Sequence, residues 1–158
     1  KLPENLKTDL NFCLKYILNR EINMSIYYAK KLLNNSNNTC VAVKGNQVYE
    51  SNLKGILPII TKLKENPLFF QEADVADLVI GKAAALLLIY GKVGSIYARL
   101  ISEHAIKVLD KYQIPYEYEK KVPFIMNRNK SGMCPMEETV LSIDNSEQAY
   151  NMLLEKIS

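Results

Sequence analysis

The sequence predicts an α/β fold, a mixed β-sheet with helices on both faces, from three observations. The segment "TCVAVKGNQVYES", residues 39–51, sets two alternating apolar arms around Gly45-Asn46, a pair suited to a two-residue hairpin turn. A strand–helix–strand unit follows: "SIYARLI" at 95–101, a helix opened by Ser102, and "YEYEKKV" at 116–122. Between them lies a stretch at about 78–90 that is apolar nearly all round. A helix of that kind is stable only when buried between layers.

The elements follow in order. From Asp9 to Leu33, "DLNFCLKYIL" and "INMSIYYAKKLL" read as two amphipathic helices, and the turn-forming "NNSNN" at 34–38 ends them. After the hairpin, "GILPIITKLKEN" puts Ile56, Ile59, Ile60 and Leu63 on one helical face, with Pro58 tolerable in the first turn. Asp77 reads as the N-cap of the buried helix and Gly91 as its end. The helix after Ser102 buries Ala105, Val108, Leu109 and Tyr112, and "YEYEKKV", stopped by Pro123, suits an edge of the sheet. A short helix starts at Pro135. A last one carries Ala149, Met152, Leu153 and Ile157, with Asp144 and Glu147 spaced as a capping box. The hairpin is expected to pair directly beside the 95–101 strand. Residues 1–21 read as a helical extension ahead of one domain over 22–158.

Composition narrows the function classes. The 158 residues carry 20 basic and 17 acidic side chains, a net +3 that gives no ground for nucleic-acid binding. Cys13, Cys40 and Cys134 are odd in number and lack paired spacing, as expected in a reducing, cytoplasmic compartment. The longest apolar run, "AAALLLIY" at 83–90, is far short of the roughly 20 residues that cross a bilayer. The opening "KLPENLKTDL" has neither an initiator Met nor a signal-peptide pattern, as in a piece cut from something longer. Neither G-x-G-x-x-G nor G-x-x-x-x-G-K occurs, so no nucleotide cofactor is expected.

Three segments carry a resemblance: "DLVIGKAAALLLIYG", "YARLISEHAIKVLDKYQI" and "VPFIMNRNKSGMCPMEETV". Over about Ile22 to Ile157 the chain resembles the uncharacterised bacterial family called domain of unknown function 1893, which is assigned to the cytidine-deaminase-like superfamily. The resemblance implies a three-layer sandwich around the mixed sheet. Zinc deaminases of that superfamily open one buried helix with H-x-E and the next with P-C-x-x-C; the ligands hold zinc and the Glu moves protons. By order of elements these motifs fall on Lys82-Ala83-Ala84 and on Ile101-Ser102-Glu103-His104-Ala105. The ligand set is absent there and Ala84 replaces the proton shuttle, so a zinc-free protein without deaminase activity is expected. A substitute site from Cys13, Cys40, Cys134 and His104 has no supporting spacing.

Candidate binding residues remain. The helices starting near Gly81 and Ser102 are expected to open onto one end of the sheet. Their unpaired N–H groups, with Lys82 and Glu103 beside them, would form a pocket for a small anionic or nucleotide-like ligand. Lys82 should then matter to binding more than to folding. The alternative is that Lys82 is solvated or paired with Asp77 or Glu103. In "NRNKSGMCPMEETV", Asn127 and Arg128 offer contacts to a phosphate or carboxylate. Cys134 sits at an N-cap position before Pro135, and Glu137, three residues on, is placed to reach back to its N–H. A structural helix start is the expected role of Cys134, ahead of a thiol lining a ligand site and of a nucleophile, which Glu137 and Glu138 oppose. The expectation is a sensory or accessory binding domain. An enzyme using Cys134 or Lys82, and an interaction module or homodimer built on the Tyr-rich N-terminal helices, stay open.

Overall fold

The computed structural model describes residues 13, 14, 17 and 24–158. The expected helix at the start of the chain and the extension over 1–21 lie largely outside these residues; Cys13, Leu14 and Ile17 are helical and exposed. Residues 24–34 form α1, which ends in the Asn-rich run. Strands β1 (Cys40–Lys44) and β2 (Gln47–Ser51) form the hairpin. Gly45 takes a φ of +57° at its turn, a conformation that costs glycine little. Helix α2 (Leu57–Glu65) follows and buries Pro58, Ile59, Ile60 and Leu63.

The next element departs from expectation. Residues Asp74–Ile80 form a strand, β3, and the buried helix α3 starts only at Lys82, running to Tyr90 with Gly81 as its N-cap and Gly91 at its end. Asp74 and Asp77 resemble helix caps, but "DVADLVI" is a short apolar run flanked by a glycine, which suits a central strand. Asp77 therefore sits inside the sheet. Then come β4 (Ser95–Ser102), α4 (Glu103–Lys111), β5 (Tyr116–Val122), α5 (Pro135–Thr139) and α6 (Ser146–Ile157). Ser102 caps α4 as expected, accepting a bond from the Ala105 N–H at 3.1 Å. Helix α6 is capped by Asn145, which accepts from Gln148 N–H at 2.8 Å, and not by Asp144.

The sheet order is β2-β1-β3-β4-β5. β1 is antiparallel to both neighbours, while β3, β4 and β5 run parallel, so the sheet is mixed. The hairpin joins it beside β3 and not beside β4, because the unforeseen strand takes that place. β5 lies at the edge, as its exposed alternation suggests. On one face α2, α3, α4 and α6 enclose the main core, with Leu86, Leu87 and Leu88 of α3 fully buried. On the other, Ala29 and Leu33 of α1 pack on Val41, Val43, Ala76 and Tyr97. Lys30 adds a contact there, 4.6 Å from the Tyr97 ring centre. The result is three layers. Among the described residues no helix is long and apolar enough to cross a membrane.

Candidate functional site

The site forms at the carboxyl end of β3, where the chain turns through Gly81 into α3. Gly81 has extended backbone angles, so any residue could adopt its conformation, but there is no room for a side chain. A Cβ there would lie 2.9 Å from Ile125 Cγ1 and 3.3 Å from Glu137 Oε1. The close neighbour explains the glycine: the Glu137 carboxylate is seated on the first turn of α3.

Glu137 is 1% exposed. Its Oε1 accepts from the Lys82 N–H at 2.8 Å and from the Ser102 hydroxyl, and its Oε2 accepts from the Ile125 N–H at 2.6 Å. A helix start offers unpaired donors and partial positive charge, and an anion there is stabilised. Here the anion belongs to the chain. One carboxylate caps α3, holds the cap residue of α4 and pins the segment leading into α5. The expected capping box therefore does not form: Glu137 points away from its own helix start, and the Cys134 N–H donates to Ile125 O at 2.7 Å. Pro135 does occupy the first turn of α5.

Lys82 is 5% exposed, and its side chain takes no part in the site. Its Nζ donates to the Leu141 carbonyl at 2.7 Å and lies 3.0 Å from Asp144 Oδ1. Neither solvent nor Asp77 nor Glu103 is its partner. Lys82, by hydrogen bond and charge, holds the Asp144 carboxyl below its usual range, with a smaller contribution from Lys111.

Beside Glu137 lies a cavity of about 180 Å³ between the starts of α2 and α3. Ile56, Ala83, Ala84, Ile125 and Met136 give it apolar walls, while Thr39, Lys54, Asp77, Cys134 and Glu137 bring polar groups. Asp77 is 4% exposed. Burial pushes its carboxyl up to about 7, although the Val79 N–H, donating at 3.0 Å to Oδ1, works the other way. Opposite it in β1 stands Cys40, fully buried, whose thiol is raised well above its ordinary value by burial and by Asp77.

Of the residues singled out by sequence, Gly81, Cys134 and Glu137 line the cavity. Ser102 is buried and reaches the site through Glu137. Glu103 is exposed at the start of α4. Asn127 shapes its own loop, accepting from Ser131 N–H at 2.9 Å, and Arg128 is exposed on that loop; neither is in the wall. Asp77, Thr39, Lys54 and Ile125 were not foreseen. An Asp inside a run of β-branched apolar residues was the available signal for Asp77. Among the described residues, no three of His, Cys, Asp or Glu side chains group to hold a metal.

Three outcomes are expected. Glu137→Ala strands three donors and should cost about 3 kcal/mol or more in urea denaturation, with a smaller loss for Glu137→Gln, which keeps an acceptor oxygen. Lys82→Met should lower stability by about 1–3 kcal/mol because the Leu141 carbonyl loses its donor, reversing the expectation that folding would be indifferent to Lys82. For Asp77, a folded-state value near 7 against an ordinary 3.8 means that the native state holds the proton more tightly. Its contribution to stability therefore falls as pH rises from about 4 to 7 and is level above that. Wild type should lose roughly 2–3 kcal/mol between pH 5 and pH 8 from this group, and Asp77→Asn should remove that loss. Asp144 acts in the opposite sense and only below about pH 4, outside this window.

Comparison with known proteins places this geometry in a family. Residues 28–157 match the family model described as TM1506, domain of unknown function (DUF1893). The fold is similar to the crystal structure of a DUF1893 family protein (TM1506) from Thermotoga maritima, at 27% identity and a TM-score of 0.68. The similarity covers 99% of this chain and 92% of that one. No curated protein matches the sequence. The family match spans most of the chain: this protein belongs to the DUF1893 family.

Proposed function

We propose that this chain is a zinc-free, non-deaminating domain of the cytidine-deaminase-like fold, and that it binds a small, nucleotide-like molecule in a sensory or accessory role. The observation that carries the binding reading is the cavity itself: apolar walls with a few convergent polar groups, one of them a carboxyl shifted toward neutrality. At about 180 Å³ it is smaller than the pockets that take drug-sized ligands, roughly 300–1,000 Å³, so the ligand is a small one.

The order hairpin, helix, strand, helix, strand, helix, strand supports the superfamily reading. Counting β3 as a strand moves the zinc-motif register back by one helix. The two starts that meet at the cavity then read Gly55-Ile56-Leu57 and Gly81-Lys82-Ala83-Ala84. Neither carries a His, Cys or Glu, which supports a site without the zinc ligands or the proton shuttle of the deaminases. The anionic half of the original expectation has less support, because the Glu137 carboxylate already sits at the helix start, accepting from the Lys82 N–H, and Asp144 takes the Lys82 ammonium. An enzyme built on Lys82 loses its residue for the same reason. One built on Cys134 keeps a single support, the place of that residue in the cavity wall.

The test is to fill the cavity. Ala84→Met places a flexible apolar chain into it and should leave the melting temperature within a few degrees of wild type. Small heteroaromatic fragments that shift the Ala83, Ile125 and Met136 methyl signals of wild type should no longer do so. Unchanged fragment binding in Ala84→Met, or a full fragment panel that moves none of these signals, would remove the cavity from consideration as a ligand site.

A further inference from the structure

The donors and acceptors around the cavity are unevenly spent. The Lys82 N–H at the start of α3, the Ser102 hydroxyl at the start of α4 and the Ile125 N–H all go to Glu137. The Val79 N–H goes to Asp77. Acceptors remain. A carboxylate oxygen accepts about two hydrogen bonds; Glu137 Oε2 has one donor, and the Asp77 carboxyl takes the Val79 N–H at Oδ1 with the Cys40 thiol and the Leu78 N–H also beside it. Lys54 is the one cationic side chain in the wall, and it is exposed at the rim.

We propose that the cavity selects a small organic cation bearing N–H donors, of the amidine or amine class, with its charged head between Asp77 and Glu137 and its apolar body against Ile56, Ala84 and Met136. The proposal rests on the reading of the cavity as a ligand site and narrows its nucleotide-like ligand to a basic, N–H-bearing head group without a phosphate. Two independent features support it: a cavity with mostly apolar walls, and a carboxyl group at 4% exposure lining it. An arriving cation repays the cost of an ionised carboxylate at this depth, whereas an anion would meet two carboxyl groups, with the Lys54 ammonium only at the rim. The groups facing Asp77 are the Cys40 thiol from β1, Glu137 from α5, Cys134 ahead of that helix and Lys54 ahead of α2. The neighbouring residue in β4, Ala98, carries no charge. Since Asp77 holds its proton up to about 7, the cation should bind better as pH rises through neutrality, with release of that proton.

The experiment compares benzamidine, benzamide and benzoate, which share a ring and differ in the charge of the head group, by titrating the full chain and following the Ala83, Ala84, Ile125 and Met136 methyl signals. Benzamidine should bind at least tenfold more tightly than benzoate at pH 8, and the ratio should shrink at pH 6. Asp77→Asn keeps an acceptor for the Val79 N–H and should lose most of the benzamidine advantage; if that variant does not fold, the pH dependence of wild type decides. Benzoate binding as tightly as benzamidine, or a benzamidine advantage indifferent to both pH and Asp77→Asn, overturns the proposal. If neutral fragments bind and benzamidine does not, the charge inference fails and the cavity reading stands. If no compound moves these signals, both fail.

Discussion

The arrangement depends on one carboxylate. Glu137 accepts from the first turn of α3, from the cap residue of α4 and from the loop before α5, so three segments distant in sequence share a single acceptor. The physics is that of any helix start, where unpaired N–H groups and the aligned peptide dipoles favour negative charge. An internal carboxylate meets that demand permanently and without loss of a free ligand's entropy. It also decides what the neighbouring cavity can do, since the seat that would attract a phosphate is already taken. The missing side chain of Gly81 belongs to the same arrangement, because any Cβ would push against Ile125 and Glu137.

Charge is disposed of around this centre with some economy. Lys82 starts α3, yet its ammonium turns to the α5–α6 connection, where Leu141 and Asp144 satisfy it. Asp144 in turn has Lys111 at 3.5 Å, so an exposed carboxylate balances one buried and one exposed cation. Asp77 has no such partner. It lies in a central strand with the Val79 and Leu78 N–H groups and the Cys40 thiol beside its carboxyl and a cavity in front of it. Burying an acid in this way opposes stability once it ionises, and that is the kind of cost associated with sites that act on something.

The legible parts of the fold were those set by local chemistry. Gly45-Asn46 marked the hairpin, Ser102 marked the start of α4, and the alternation in "YEYEKKV" with Pro123 after it marked an edge strand. The strand β3 was missed because seven mostly apolar residues with Asp at two positions satisfy helix and strand patterns alike, and only the neighbouring strands decide between them. That one error displaced the hairpin from β3 to β4 and shifted the helix register. At the site, Gly81, Cys134 and Glu137 could be singled out from local signals. Their relation could not: Glu137 looks like a cap for its own helix, and only tertiary structure shows it capping another 55 residues away. Lys82 misled for the same reason, since a lysine at a helix start gives no sign that its partner lies beyond α5.

The distance along the chain between Lys82 and Glu137 has a consequence for biosynthesis. The strands and helices of the sheet, through β5 at Val122, are translated before the residue that closes the α3 start. With 55 residues to add after Lys82 and 35 after Ser102, at about 5–20 residues per second, the Lys82 N–H waits roughly 3–11 s and the Ser102 hydroxyl roughly 2–7 s for their acceptor on the ribosome. A nascent chain halted in that interval would carry most of its sheet but an open, water-filled helix start, and a free phosphate or carboxylate would find the seat vacant that the finished protein keeps for itself.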